Sequence, residues 1–192
     1  MVGGFLLSAL LMFGPADPVP EPKDAVSYKK LGDEHVAKDE VRQAADAYEQ
    51  ALVLGRAEFT TDECVRMAVV LSWDDRLKAA IRELSLVLAR DPGNLTAKMQ
   101  LARVYAWDGQ LTRAVDEANT VLMLAPDDPE TLLVKANALE WDDRFNEAIS
   151  IYRKIIERND DFYARIGLVS STLYKGDRAE ALHMTWIVAR GA

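Results

Sequence analysis

Apolar residues recur along most of the chain with the period of an amphipathic helix. The segment 111–122 is a clear case, with apolar positions at Leu111, Ala114, Val115, Ala118, Val121 and Leu122. Spacings of three and four residues place these positions on one helix face. Another such pattern, at Leu101, Val104 and Tyr105, precedes it, and D-G-Q separates the two. Because sustained alternation of apolar and polar residues is missing, the pattern predicts pairs of helices and no strands.

The predicted helix pairs recur every 34 residues, as the positions of Trp73, Trp107 and Trp141 show. Each Trp is followed seven residues later by an alanine, at Ala80, Ala114 and Ala148. A copy without Trp begins at Ala25, and a last copy has Tyr174 in the Trp place, 33 residues after Trp141. Self-similarity at such a period is the signature of a repeat protein.

The repeated pattern resembles the tetratricopeptide repeat (TPR). The matching residues include Tyr28-x-x-Leu31-Gly32 with Ala44-x-x-x-Tyr48, Met67-Ala68 with Ala80 and Pro92, Leu101-Ala102-x-x-Tyr105 with Ala114 and Pro126, and Ala136-x-x-Leu139 with Ala148. The chain departs from the family pattern at Lys135 and Asp160. The resemblance implies an all-α, right-handed solenoid of about five stacked antiparallel helix pairs. We expect units at about 25–58, 61–94, 95–128, 129–161 and 162–190.

The turn between the two helices of each unit carries a second prediction. Asp75 and Asp143, in two W-D-D-R quartets, occupy the place of Gly109 in W-D-G-Q. A residue in the left-handed region commonly ends a helix at this place. We therefore expect both aspartates to be left-handed, at a conformational cost that glycine does not have.

In TPR proteins the first helices of the units line a concave groove that holds an extended peptide or a partner's helix. The resemblance therefore implies a partner-binding groove that contains Trp73, Trp107, Trp141, Tyr174, Val69, Met99, Arg103, Leu133 and Asn137. The Trp side chains allow two interpretations. They are either an exposed aromatic ladder that clamps a peptide or stacks on sugar rings, or wedges buried between neighbouring first helices. Because Trp is usually well buried, the wedge is the expectation here.

The N-terminus differs from the repeats in composition. Residues 1–16 contain the apolar run F-L-L-S-A-L-L-M-F, which is too short for a stable membrane span and fits a secretory signal peptide or an apolar tail. Residues 17–24 form a Pro-rich linker. These features predict export to the periplasm or beyond, with a cytoplasmic location as the alternative.

Composition narrows the functional classes. The formal net charge of −8 argues against a nucleic-acid partner. The chain has a single cysteine, Cys64, two distant histidines, and none of the common catalytic or phosphate-binding motifs, so we expect no enzyme, no metal and no cofactor.

The expected function is a non-enzymatic scaffold that docks a protein or peptide in the groove. The alternative is a periplasmic repeat module of a polysaccharide assembly or export system, with the aromatic groove in contact with glycan or polymer machinery. A third hypothesis is a passive spacer or an oligomerisation element. The sequence leaves the partner, the pathway and the oligomeric state open.

Overall fold

The computed structural model describes residues 23–182 and residue 185, and they form an array of helices. The predicted apolar segment 1–16, most of the linker 17–24 and the end of the fifth unit lie outside these residues. The helices are α1 (Ala25–Val36), α2 (Val41–Gly55), α3 (Thr61–Trp73), α4 (Leu77–Arg90), α5 (Leu95–Trp107), α6 (Leu111–Leu124), α7 (Pro129–Trp141), α8 (Phe145–Asn159) and α9 (Phe162–Tyr174). A 3-10 turn, Arg56–Glu58, follows α2, and a further helix begins at residue 178.

Consecutive helices pack as antiparallel pairs, and the pairs stack into a right-handed α-solenoid, which confirms the predicted fold class. We call α1, α3, α5, α7 and α9 the first helices and α2, α4, α6 and α8 the second helices. The first helices α3, α5, α7 and α9 touch one another in sequence, whereas neighbouring second helices have no comparable contact. The array therefore curves with its first helices on the inner, concave side.

Small residues let the helices approach closely. Ala80, Ala114 and Ala148 have no exposed surface. Gly32 packs against the ring of Tyr48, where an added Cβ would lie only 2.3 Å from Cε1. These positions hold small residues because a larger side chain would overfill the contact between paired helices.

Every first helix begins with a side-chain cap. The capping oxygens of Asp24, Thr60, Asn94, Asp128 and Asp161 accept from the backbone N–H three residues later, at 2.7 to 3.2 Å. The second helices begin without one, at Glu40, Arg76, Gln110 and Arg144. The caps therefore stabilise the start of each unit, because they satisfy amides that the first turn leaves without partners. Asp177 caps the further helix at residue 178 in the same way.

The turns within the units are closed by a left-handed residue, as predicted for Asp75 and Asp143. Their φ angles are 62° and 58°, close to the 74° of Gly109. The next residue then donates its N–H to the carbonyl five residues earlier, as Arg76 does to Leu71 at 2.9 Å and Arg144 to Leu139 at 2.8 Å. This is the Schellman arrangement that ends a helix.

Asp160 explains the 33-residue spacing of the last unit. It takes a left-handed φ of 46° directly after α8, and α9 begins two residues later, at Phe162. The connection 160–161 is thus two residues shorter than 91–94, while α8 has one residue more than α4. The left-handed turn replaces the longer connection that Pro92 and Pro126 mark in the preceding units.

Candidate partner-binding groove

The predicted Trp residues lie in a row along the concave side. Trp73, Trp107 and Trp141 are each the last residue of a first helix. The three residues are 56%, 42% and 50% exposed, so the expectation of buried wedges is wrong. The chain turns away to a second helix directly after each Trp, and this leaves about half of each residue's surface uncovered.

Tyr174 takes the corresponding place in the fifth unit, at the end of α9. It is 70% exposed, and its ring stacks on that of Phe145 with the centroids 6.0 Å apart. The aromatic row therefore continues into the fifth unit, where Tyr174 packs against the preceding second helix, α8.

The buried contact between the third and fourth units is made by other residues. Met99, expected in the groove, is buried in a cluster with Ala102, Ala118, Val121 and Val134. A flexible thioether side chain fills such an irregular gap well. Met99 therefore presents little surface to a partner, and it fills the space between units that was expected to hold a Trp.

The remaining predicted groove residues lie on the first helices and are half-buried. Val69 and Leu133 offer apolar surface. Arg103 Nη2 lies 2.5 Å from Glu130 Oε1, so its charge is neutralised across the boundary between the third and fourth units. Asn137 Oδ1 accepts from the Tyr152 hydroxyl at 2.7 Å. Of these four side chains, the two polar ones already have protein partners.

The floor of the groove is polar in the fourth and fifth units. Tyr152, on α8, has no exposed surface, and its hydroxyl also donates to Glu140 Oε2 at 2.7 Å. Ser170 Oγ donates to the other oxygen of Glu140. Burial, and then the hydrogen bond to Glu140, raise the pKa of Tyr152. These side chains form one network that leaves few free polar atoms on this part of the floor.

A cavity of about 470 Å³ opens at the other end of the groove, between α1, α3 and α5, and we call it the Trp73 pocket. Its volume lies within the roughly 300–1,000 Å³ of ligand pockets. Its apolar wall consists of Val36, Val65, Met67, Val69, Val70 and Trp73. Its polar residues include Lys29, Asp33, Glu63, Arg66, Thr96 and Gln100. Arg66 and Gln100 line this pocket but are absent from the predicted groove, although Arg66 lies three residues before Val69 and so shares its helix face.

Three ionic groups of the pocket, those of Lys29, Asp33 and Glu63, are linked to one another. Lys29 Nζ lies 2.8 Å from Asp33 Oδ2 and 3.4 Å from Glu63 Oε1. The hydrogen bond to Asp33 raises the pKa of Lys29. Tyr48 donates to the other oxygen of Asp33 at 2.8 Å, and burial, then this bond, raise the pKa of Tyr48. The backbone N–H of Thr60, which donates to Glu63, lowers the pKa of that carboxyl.

Other candidate chemistry is sparse in the described part of the chain. No cluster of three or more metal-ligating side chains occurs there. Cys64 is buried, and burial raises the pKa of its thiol. Among the same residues, none of the helices has the length and apolar character that crossing a bilayer requires.

Comparison with known proteins supports the TPR architecture. Residues 74–138 match the family model described as tetratricopeptide repeat. This segment runs from the first W-D-D-R turn to the first helix of the fourth unit. No curated protein matches the chain by sequence.

Solved structures of similar fold extend the likeness over most of the chain. One is MamA from residue 41 onward, from Desulfovibrio magneticus RS-1, with a TM-score of 0.71, 16% identity, and coverage of 86% of this chain and 93% of that one. Another is a tetratricopeptide repeat protein from Parabacteroides merdae, with a TM-score of 0.70, 18% identity, and coverage of 87% and 66%. At such identities the likeness shows the fold alone, which is that of TPR solenoids.

Proposed function

We propose that this chain is a non-enzymatic scaffold that docks a peptide or protein partner along its concave groove. The observation that carries the proposal is the row of half-exposed Trp73, Trp107 and Trp141. A large aromatic ring left in water forgoes the free energy of burial, which a partner can supply. Aromatic residues are also the side chains that most often dominate binding energy at protein interfaces.

A selection of displayed random peptides on the immobilised protein tests this proposal. Selected peptides are then measured against the wild type and a Trp107→Ala, Trp141→Ala double variant by fluorescence anisotropy. We expect the double variant to bind at least about tenfold more weakly, since truncation of an interface anchor often costs more than 1 kcal/mol.

The matched control is a Met123→Ala, Leu124→Ala double variant. These two residues are 74% and 71% exposed at the end of the second helix α6, outside the groove. The control should bind like the wild type. Equal binding by all three proteins would contradict the proposal. The polysaccharide alternative would be favoured by a different outcome. In that case the selection yields no peptide, and the wild type binds a linear glucan oligosaccharide that the Trp double variant does not bind.

A further inference from the structure

We propose that the Trp73 pocket binds a peptide segment in which a bulky aliphatic or aromatic side chain lies next to an acidic side chain. This inference rests on the proposed function and adds the chemistry of the anchoring residues. It follows from the apolar wall of the pocket and from Arg66, a charged side chain of the pocket that has no partner among the described residues.

The apolar wall supplies the anchoring site. Trp73 and Val36 are 56% and 40% exposed, and they end the neighbouring first helices α3 and α1. Val65 and Val69 lie deeper on α3, and Val65 is only 5% exposed. A side chain that enters between these residues gains free energy in proportion to the apolar area it removes from water. The anchor must therefore be bulky and apolar.

The two carboxylates of the pocket already have donors, although they share the single positive charge of Lys29. Both oxygens of Asp33 accept hydrogen bonds, one from Lys29 and one from Tyr48. Glu63 Oε2 accepts from Thr60, and Glu63 Oε1 faces Lys29. A basic group on a partner would have to compete with these donors for the same carboxylates.

Arg66 is different. In the part of the chain that the structure describes, its guanidinium makes no ion pair and no hydrogen bond, although it lines the same pocket as Trp73. A guanidinium has five N–H donors in a planar fork that fits a carboxylate. The charged side chain that lacks a partner beside the apolar wall is therefore a cation, and the complementary partner has a carboxylate next to its apolar anchor.

Three short synthetic peptides test this assignment, all acetylated and amidated so that no terminal charge contributes. They share a Gly-Ser background and carry Glu-Leu-Glu, Lys-Leu-Lys or Glu-Ser-Glu at the centre. Binding to the full chain is measured by anisotropy of a labelled peptide. We expect the Glu-Leu-Glu peptide to bind about tenfold more tightly than each of the others, the size of effect that one ion pair or one apolar anchor gives.

The decisive variant is Arg66→Glu, which should reverse the preference in favour of Lys-Leu-Lys. Lys78→Glu is the matched control, because it makes the same change of net charge at an exposed residue of α4 outside the pocket. It should leave the preference for Glu-Leu-Glu unchanged. Far-UV circular dichroism of both variants verifies the fold.

Equal binding of the Glu-flanked and Lys-flanked peptides, or equal behaviour of the two variants, would overturn the assignment. So would binding of Glu-Ser-Glu as tight as that of Glu-Leu-Glu. If selected peptides still depend on Trp107 and Trp141 while Arg66→Glu changes nothing, only the pocket chemistry is wrong. If no groove variant changes the binding of any peptide, the proposed function fails with it.

Discussion

Arg76 Nη1 lies 2.6 Å from Glu49 Oε2, across the boundary between the first and second units. The same guanidinium also contacts Asp46 on α2 and Asp74 in its own turn, and these bonds raise the pKa of Arg76. Arg144 holds the equivalent place in the other W-D-D-R quartet, but among the described residues it pairs only with Asp142 and Glu147, within its own unit. The arginine of the W-D-D-R quartet thus connects two units at Arg76, whereas at Arg144 it pairs within one unit.

Arg76→Ala should therefore destabilise the array more than Arg144→Ala. The Arg76 side chain is 24% exposed and bonds three carboxylates, so we expect a loss of about 1–3 kcal/mol in the free energy of unfolding. Arg144 is more exposed, so solvent screens its ion pairs and its removal should cost clearly less. Urea unfolding followed by circular dichroism measures both. Equal losses would show that the bridge between units contributes nothing of its own.

The left-handed aspartates give a prediction in the opposite direction. Asp75→Gly and Asp143→Gly should each stabilise the fold by a few tenths to about 1 kcal/mol, because glycine adopts positive φ without strain. Asp142→Gly is the control, since Asp142 has a φ of −91° and gains nothing from glycine. Thermal unfolding compares the three variants. A lower melting temperature for both Asp75→Gly and Asp143→Gly would disprove the strain argument.

Thr131 is fully buried, and its hydroxyl has no hydrogen-bond partner within the described residues. Thr131→Val replaces this hydroxyl with a methyl group of similar size, and it should stabilise the protein by about 1 kcal/mol. Thr172→Val is the matched control, because the Thr172 hydroxyl donates to the Leu168 carbonyl at 2.7 Å. That variant should lose stability. The same sign of change in both variants, measured by urea unfolding, would refute the comparison.

Gly167 packs against Tyr152, and an added Cβ would lie 2.3 Å from the ring carbon Cζ. Gly167→Ala should therefore destabilise the contact between α8 and α9 by about 1–3 kcal/mol through overpacking. At Gly93 the nearest atom to an added Cβ is 3.6 Å away, so Gly93→Ala should be nearly neutral. Calorimetric melting of the two alanine variants checks this difference, and similar melting temperatures would contradict it.

The sequence predicts the helix pairs because residues on one face of a repeat recur at a fixed interval, as the alanines at 80, 114 and 148 do. It also predicts the left-handed turn, since Asp75 and Asp143 share a place with Gly109. These are local properties of the chain. They depend on backbone conformation and on close packing within one unit, and both restrict which residue types a position tolerates.

The exposure of particular side chains could not be predicted in the same way. Met99 and Trp107 both belong to the expected groove, yet Met99 is 8% exposed and Trp107 is 42% exposed. Which of the two is covered depends on how closely the next first helix approaches, a distance that periodicity does not contain. The partners of Arg76 and Arg144 differ for a similar reason, because Asn119 in the third unit stands at the place of Glu49 in the first. Asp116 keeps the acid of Asp46 at that boundary, so one of the two α2 carboxylates that bind Arg76 has no counterpart there.

Collisional quenching of Trp fluorescence by acrylamide tests the exposed aromatic row most directly. The measurement uses a Trp186→Phe background, which leaves Trp73, Trp107 and Trp141 as the emitting residues. Acrylamide is neutral, so the net charge of −8 does not repel it. The exposed row predicts red-shifted emission, efficient quenching, and protection from the quencher when a groove-binding peptide is added. Blue-shifted emission that acrylamide scarcely quenches, unchanged by peptide, would contradict it.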